Sequence, residues 1–146
     1  MNPDTLFKVT CMVAAVGWIV LLFISPFWSG YDKFLTGIII ALLALTYTYL
    51  NFSNFDPDIL SKFSTLDGIQ SLFQNKSLLL AGWEHFMAFD LLVAVWIKKN
   101  SIKLGIKHWM IIPALIFTCM LGPLGYLIYL VTRGLKTRIY FAENSA

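Results

Sequence analysis

The segment Ser77-LLLAGWEHFMAFDLLVAVW-Ile97 decides the fold of this chain, because it is a hydrophobic run long enough to cross a bilayer as one helix. At a rise of about 1.5 Å per residue, an α-helix needs about 20 apolar residues to span the hydrocarbon core. Three ionisable residues, Glu84, His85 and Asp90, lie within seven positions at its middle. A charge there costs roughly 2.5–3.5 kcal/mol, so these residues are the first candidates for a function.

The composition of the whole chain agrees with a membrane location. Of its 146 residues, 58% are hydrophobic and 13% are charged, and the mean hydropathy is +0.73. A soluble domain carries about a quarter of charged residues. The net charge of +3 is too small to indicate a nucleic-acid partner. The sequence therefore predicts an integral membrane protein whose first partner is the lipid bilayer.

Hydropathy divides the chain into four apolar stretches, which predict spans at about residues 7–24, 34–52, 77–97 and 109–132. We expect an all-α fold, a four-helix transmembrane bundle, with a single membrane domain over residues 1–146. Between the second and third spans, residues 54–76 carry apolar side chains at spacings of three or four. This pattern predicts a short amphipathic interfacial segment, with Asp56 capping its first helix and Ser64 to Asp67 forming a capping box. A packed loop is the alternative.

The number of spans determines how the basic residues are shared between the two membrane sides. With four spans, both termini and residues 54–76 lie on one side. That side then carries Lys8, Lys62, Lys76, Arg133, Lys136 and Arg138, and the other carries Lys33, Lys98, Lys99, Lys103 and Lys107. Six residues against five give no decision under the positive-inside rule, so the orientation stays open.

The three central ionisable residues do not share a helix face. At about 100° per residue, His85 lies about 100° from Glu84 and Asp90 lies about 240° from it. We therefore expect the third span to be surrounded by other helices, or to carry these groups in their neutral form. A carboxyl beside an imidazole in a dry pocket performs acid–base chemistry near neutral pH. The alternative is that they join helices through hydrogen bonds of about 0.6–2 kcal/mol.

Two further groups of residues are candidates for binding an apolar ligand. Trp83, Phe86 and Phe89 surround the ionisable cluster on the third span. In the fourth span, small and aromatic residues form a stripe for helix packing or for a cavity wall, and Pro123 predicts a kink beside Gly122. The candidates on the fourth span are Thr118, Gly122, Pro123 and Tyr129.

Metal and cofactor motifs are not found in the sequence. Cys11 and Cys119 stand alone in apolar runs, without the spacing of a zinc site or redox pair. His85 has no second histidine at membrane depth, since His108 lies at the membrane edge, so we expect no haem. No phosphate-binding or zinc-protease motif occurs. We therefore predict no metal and no cofactor.

The run Gly82-WEHFMAFDLLVA-Val95 resembles the signature of the abscisic-acid-deficient-4-like membrane proteins, whose plant members are required for neoxanthin synthesis from violaxanthin. Residues 122–133 resemble the last span of that family. The resemblance implies a four-span fold and an isoprenoid substrate. Trp83, His85, Asp90 and Pro123 match the plant pattern, whereas an apolar residue is usual at Glu84. No transit peptide precedes the first span, which predicts a multi-pass protein of a bacterial inner (cytoplasmic) membrane.

The first hypothesis for function is a membrane protein that isomerises a carotenoid or related isoprenoid by acid–base chemistry. Asp90 or Glu84 would act as the acid and His85 as the base, with Trp83 and Phe86 holding the polyene. The alternatives are a non-catalytic carotenoid, lipid or quinone binder, an accessory subunit, and a proton-coupled transporter. A second copy of the chain is a further candidate partner, since a homo-oligomer would bring two ionisable clusters together.

Overall fold

The computed structural model describes residues 2–138, and the regular structure in this range is helical without strands. This confirms the all-α fold. Numbered along the chain, the helices are α1 (Pro3–Ile24), α2 (Tyr31–Ser53), α3 (Ile59–Lys62), α4 (Leu66–Leu72), α5 (Lys76–Lys103), α6 (His108–Leu121) and α7 (Pro123–Thr137).

Within the described range, α1, α2 and α5 are the three helices long and apolar enough to cross a membrane. The sequence explains their ends. Asn2 caps α1 by accepting a hydrogen bond from the backbone N–H of Asp4 at 3.0 Å, and Pro3 occupies the first helical position. Asn75 caps α5 in the same way through the N–H groups of Ser77 and Leu78. These helices fit a membrane protein.

Helix α5 is the centre of the fold and contacts α1, α2, α6 and α7. Its small and branched side chains fill the core, and Leu91, Ala94 and Ile97 are fully buried. Gly17 of α1 lies so close that a Cβ there would stand 2.7 Å from the Leu91 side chain. Other helices therefore cover one side of the third span, whereas Trp83 and Phe89 on its other side are exposed.

The segment between α2 and α5 contains the two short helices α3 and α4. The predicted caps differ in detail: Thr65, not Ser64, caps α4 by accepting a hydrogen bond from the N–H of Gly68 at 3.1 Å. The Asp56 carboxylate accepts a hydrogen bond from the backbone N–H of Asp58 at 2.9 Å and forms an ion pair with Lys62. The hydrogen bond from Lys62 holds the pKa of the Asp56 carboxyl below its usual value, and that from the Asp58 backbone adds to the effect.

The apolar stretch 109–132 does not form one helix, and the fourth span is not confirmed. Helix α6 ends at Leu121, Gly122 adopts a left-handed φ of 37°, and α7 starts at Pro123. Helix α7 then folds back against α6, since a Cβ on Gly125 would lie 2.1 Å from the backbone nitrogen of Thr118. The predicted kink at Pro123 is therefore wrong. The proline begins a new helix after a chain reversal, because its missing N–H needs no partner there.

The direction of this helical hairpin follows from its contacts with α5. Its tip at Gly122 lies against Asp90, in the middle of α5, and farther along α7 the Tyr129 hydroxyl donates to Asn100 Oδ1 at 2.6 Å. Helix α7 thus runs back toward the end of α5 that carries Lys103. Because α5 is 28 residues long, about 42 Å, the hairpin reaches only to about half its length.

This reversal changes how the basic residues are distributed. The end of the bundle with the α1–α2 and α5–α6 turns also receives the C-terminal end of α7. Eight of the eleven lysines and arginines now lie toward that end, which we call the basic end: Lys33, Lys98, Lys99, Lys103, Lys107, Arg133, Lys136 and Arg138. Lys8, Lys62 and Lys76 lie toward the other end. The count of six basic residues against five assumed a fourth span. With the hairpin, the count becomes eight against three.

Candidate functional site

Glu84 lies in the interior of the bundle, between α5, α1 and α2. Its side chain is 0% exposed, and the side chains of Thr46 and Thr10 lie beside it. Both threonine hydroxyls donate to backbone carbonyls of their own helices, at 2.9–3.2 Å. Among the described residues, neither carboxyl oxygen of Glu84 has a hydrogen-bond partner. Glu84 is therefore enclosed by protein and does not face a surface groove.

His85 points in another direction and lies at the surface of α5. Its ring stacks on Phe89 with centroids 4.6 Å apart, and Tyr47 of α2 lies 5.7 Å away. The imidazole lines a cavity of about 250 Å³ between α2, α5 and the short helices, which we call the histidine cavity. Its wall also includes Asn51 and the aromatic ring of Phe73. An acid–base group thus opens onto a mostly apolar space.

A larger apolar groove runs along the neighbouring face of α5, beside α1. Its volume is about 680 Å³ and its walls include Phe7, Trp83 and Phe86. The ring of Trp83 lies 6.3 Å from that of Phe7 and 5.6 Å from that of Phe86. We call this space the tryptophan groove. Trp83 and Phe86, two of the three aromatic residues on this span that the sequence predicted to bind an apolar ligand, therefore line one groove, whereas Phe89 lines neither this groove nor the histidine cavity.

The tryptophan groove and the histidine cavity share two wall residues, Phe73 and Gly82. A Cβ on Gly82 would lie 3.0 Å from the Phe73 ring, so the absence of a side chain lets this ring pack against α5. The Phe73 ring separates the two spaces. The two spaces therefore adjoin each other at Phe73 and Gly82.

Asp90 faces the hairpin and neither of these spaces. A Cβ on Gly122 would lie 2.6 Å from Asp90 Oδ1, so the carboxyl and the hairpin tip are in direct contact. Oδ2 of Asp90 is buried without a hydrogen-bond partner in residues 2–138. Only glycine fits at position 122, both because of this contact and because of its φ of 37°.

The remaining predicted residues of the hairpin serve its packing. Thr118 is buried, and its hydroxyl donates to the carbonyl of Ala114 at 2.8 Å. Pro123 starts α7. Tyr129 is fully buried, and its hydroxyl donates to Asn100. None of them lines the tryptophan groove or the histidine cavity. Their roles in binding an apolar ligand stay predictions.

The structure therefore separates the three acid–base candidates, as their helical angles indicated. Glu84 faces α1 and α2, Asp90 faces the tip of the hairpin, and His85 faces an apolar cavity. Of the three, His85 alone lines the tryptophan groove or the histidine cavity. A catalytic role for all three in one site would require groups that the structure places on different sides of α5.

Sequence reasoning did not single out a buried polar pair at the basic end. Lys98 is 4% exposed, and its Nζ lies 3.0 Å from His108 Nδ1. His108 Nε2 donates to the carbonyl of Leu22 at 2.9 Å, so Nδ1 is the acceptor for the lysine. In the sequence, Pro26 could have indicated this contact, because it lacks the N–H that would donate to the Leu22 carbonyl in a continuous helix. A side chain from another helix replaces that donor.

Comparison with protein-family models gives a match to ABA DEFICIENT 4-like over residues 5–129. The chain belongs to the ABA DEFICIENT 4-like family. Comparisons with curated proteins and with solved structures gave no match. In this ABA DEFICIENT 4-like protein the matched range extends from α1 to Tyr129, so it contains the histidine cavity, the tip of the hairpin and all of the tryptophan groove except Pro3 and Asp4. The family resemblance seen in the sequence is thus confirmed.

Proposed function

We propose that this protein is an integral membrane protein that binds a carotenoid or a related isoprenoid in the tryptophan groove and the histidine cavity. The observation that carries the proposal is the adjacency of these two apolar spaces on either side of Phe73, with His85 at the wall of one. Ligand sites are concave and mostly apolar, with few polar groups. Family membership supports the isoprenoid class of ligand.

The shape and lining of the site suit a long hydrocarbon. The tryptophan groove offers about 680 Å³ bounded by aromatic rings, which pack against a polyene through dispersion and apolar burial. The histidine cavity adds polar groups at one place, His85, Tyr47 and Asn51. A ligand with a hydrocarbon chain and a polar ring end would place its chain in the groove and that end in the cavity.

The chemistry available in the cavity is proton transfer. Opening an epoxide to an allenic alcohol moves a proton from a carbon to the epoxide oxygen, so it consumes no redox equivalents. It needs an acid at the oxygen and a base at the neighbouring carbon. His85 supplies one of these groups and the hydroxyl of Tyr47, whose ring contacts it, supplies the other. Asp90 or Glu84 as the acid remains a prediction, and both carboxyls face other helices.

The membrane arrangement in this proposal is multi-pass. Helices α1, α2 and α5 cross the bilayer, while α6 and α7 enter from the basic end and return to it. The excess of basic residues at that end supports a cytoplasmic location for it under the positive-inside rule. The bacterial inner membrane as the location remains a prediction from the sequence.

The test uses the protein expressed in carotenoid-producing cells and purified in mild detergent, with pigment measured per mole of protein. We expect pigment to co-purify with the wild type and to fall about tenfold or more in Trp83→Ala, because a buried aromatic contact contributes about 1.5–3 kcal/mol. Trp109→Ala is the matched control, since Trp109 is exposed and lies outside the groove. Equal pigment in both variants would contradict the proposal.

A non-catalytic carrier is the second candidate, and the separation of His85 from both carboxyls favours it. His85→Gln distinguishes the two functions when pigment binding and pigment identity are both measured. A catalyst loses the isomerised product while binding is kept. A carrier shows the same pigment profile in wild type and variant.

A further inference from the structure

The basic end of the bundle contains two cavities that the proposed isoprenoid site does not use. One has a volume of about 560 Å³ and lies between the α1–α2 turn and the end of α5. The other has a volume of about 460 Å³ and extends along α5 beside α2. Lys99 and Lys103 line both cavities, so the two spaces meet at these side chains. We call them the headgroup cavity and the chain groove.

The charge around the meeting point is positive. Asp32 pairs with Lys99 at 3.0 Å. Lys103 is exposed and has no carboxylate within ion-pair distance in the part of the chain that the structure describes. Lys99 and Lys103 thus face one carboxylate, and the remaining positive charge attracts an anion.

The headgroup cavity offers groups typical of a membrane interface. Its walls include Trp28, whose amphipathic ring suits the headgroup level, and the hydroxyl-bearing residues Ser25 and Ser29. Phe27, another wall residue, is 91% exposed. Polar and basic groups thus adjoin an apolar surface that faces outward, as at the boundary between headgroups and acyl chains.

The chain groove distinguishes a lipid from a soluble anion. It extends from Lys103 to Leu92 along α5, which is eleven residues or about 16 Å toward the middle of the bilayer. Its walls there are Leu92, Val95 and Trp96. A free phosphate would occupy the basic meeting point and leave this apolar groove unused. An acyl chain would fill it.

We propose that Lys99, Lys103 and the two adjoining cavities bind an anionic phospholipid, with its phosphate at the lysines and one acyl chain along α5. Basic pockets between membrane helices on the cytoplasmic side are suited to such headgroups. The site lies at the opposite end of α5 from the tryptophan groove, so it does not depend on the proposed isoprenoid ligand.

Native mass spectrometry of the purified protein tests this site, with phosphatidylglycerol and phosphatidylcholine as probes. We expect phosphatidylglycerol to bind about fivefold or more tightly than phosphatidylcholine. Lys103→Gln should weaken phosphatidylglycerol about fivefold, which is the usual contribution of one lysine near an anionic surface. Lys8→Gln is the matched control, because Lys8 is an exposed lysine toward the other end of the bundle and lines neither cavity. Its affinity should equal that of the wild type.

Three results would overturn the proposal. Equal affinity for the two lipids removes the charge selectivity. Equal losses of affinity in Lys103→Gln and Lys8→Gln show attraction to the overall charge rather than to this site. Glycerophosphoglycerol carries the headgroup without acyl chains. If it competes as effectively as the lipid, the site binds a soluble phosphate ligand.

Discussion

Substitution of Gly125 by alanine tests the helical hairpin directly. The new Cβ would lie 2.1 Å from the backbone nitrogen of Thr118 and 2.4 Å from the carbonyl oxygen of Ala114. Backbone atoms cannot rotate away, so α6 and α7 must separate. Overpacking costs about 1–3 kcal/mol, and we expect Gly125→Ala to lie at the upper end of this range.

Gly134 supplies the matched control in the same helix. No atom lies within 4 Å of a Cβ built on Gly134, so alanine meets no obstacle there. In a helix interior, replacing glycine by alanine stabilises by roughly 0.5–1 kcal/mol. The two alanine variants should therefore differ by about 2–4 kcal/mol in the free energy of unfolding, measured by titration with SDS in mixed micelles.

This comparison distinguishes a hairpin from a straight fourth span. In one continuous helix, Gly125 and Thr118 would be seven residues or about 10 Å apart, and the added methyl group would not reach Thr118. Gly125→Ala would then stabilise the protein as Gly134→Ala does. Equal stabilities of the two variants would refute the reasoning about the hairpin.

Three further predictions follow from the fold. Reporter groups placed after α7 and in the α5–α6 turn should be labelled from the same membrane side, and labelling from opposite sides would restore a fourth span. His108→Ala should destabilise the protein by about 1–3 kcal/mol, because it leaves the Leu22 carbonyl without its donor. In a Pro26→Ala background a backbone N–H can replace that donor, so a double-mutant cycle should show a smaller loss of stability. The folded-state pKa of Asp56 lies below its unfolded value, so its pairing with Lys62 stabilises the linker above about pH 4 and is lost as the pH falls further. Proteolysis of this linker should rise at acidic pH in the wild type, and the rise should be absent in Asp56→Asn.

The sequence by itself determined the central helix and the separation of its ionisable groups. A run of apolar residues from 77 to 97 predicts a helix, and helical geometry fixes the angles between Glu84, His85 and Asp90. These are local properties, which need no knowledge of neighbouring helices. Family membership was likewise visible in the motif around Trp83 and His85.

Only the tertiary structure decided the path of the last apolar stretch. Hydropathy is the same for a straight span and for a reversed pair of helices, so residues 109–132 predict either one. The contacts that decide between them, Gly125 on Thr118 and Gly122 on Asp90, join residues from different helices. Glycine followed by proline was a local signal for a helix end and a new start.

The site shows the same division between local and long-range information. The identity of His85 and its aromatic neighbours came from the sequence, but the spaces they line are formed by α1, α2, α5 and Phe73 of the linker together. The basic end depends on the hairpin in the same way, because the reversal at Gly122 brings the C-terminal basic residues back to Lys99 and Lys103. Pattern and composition determine which helices form, whereas contacts between distant segments determine what those helices enclose.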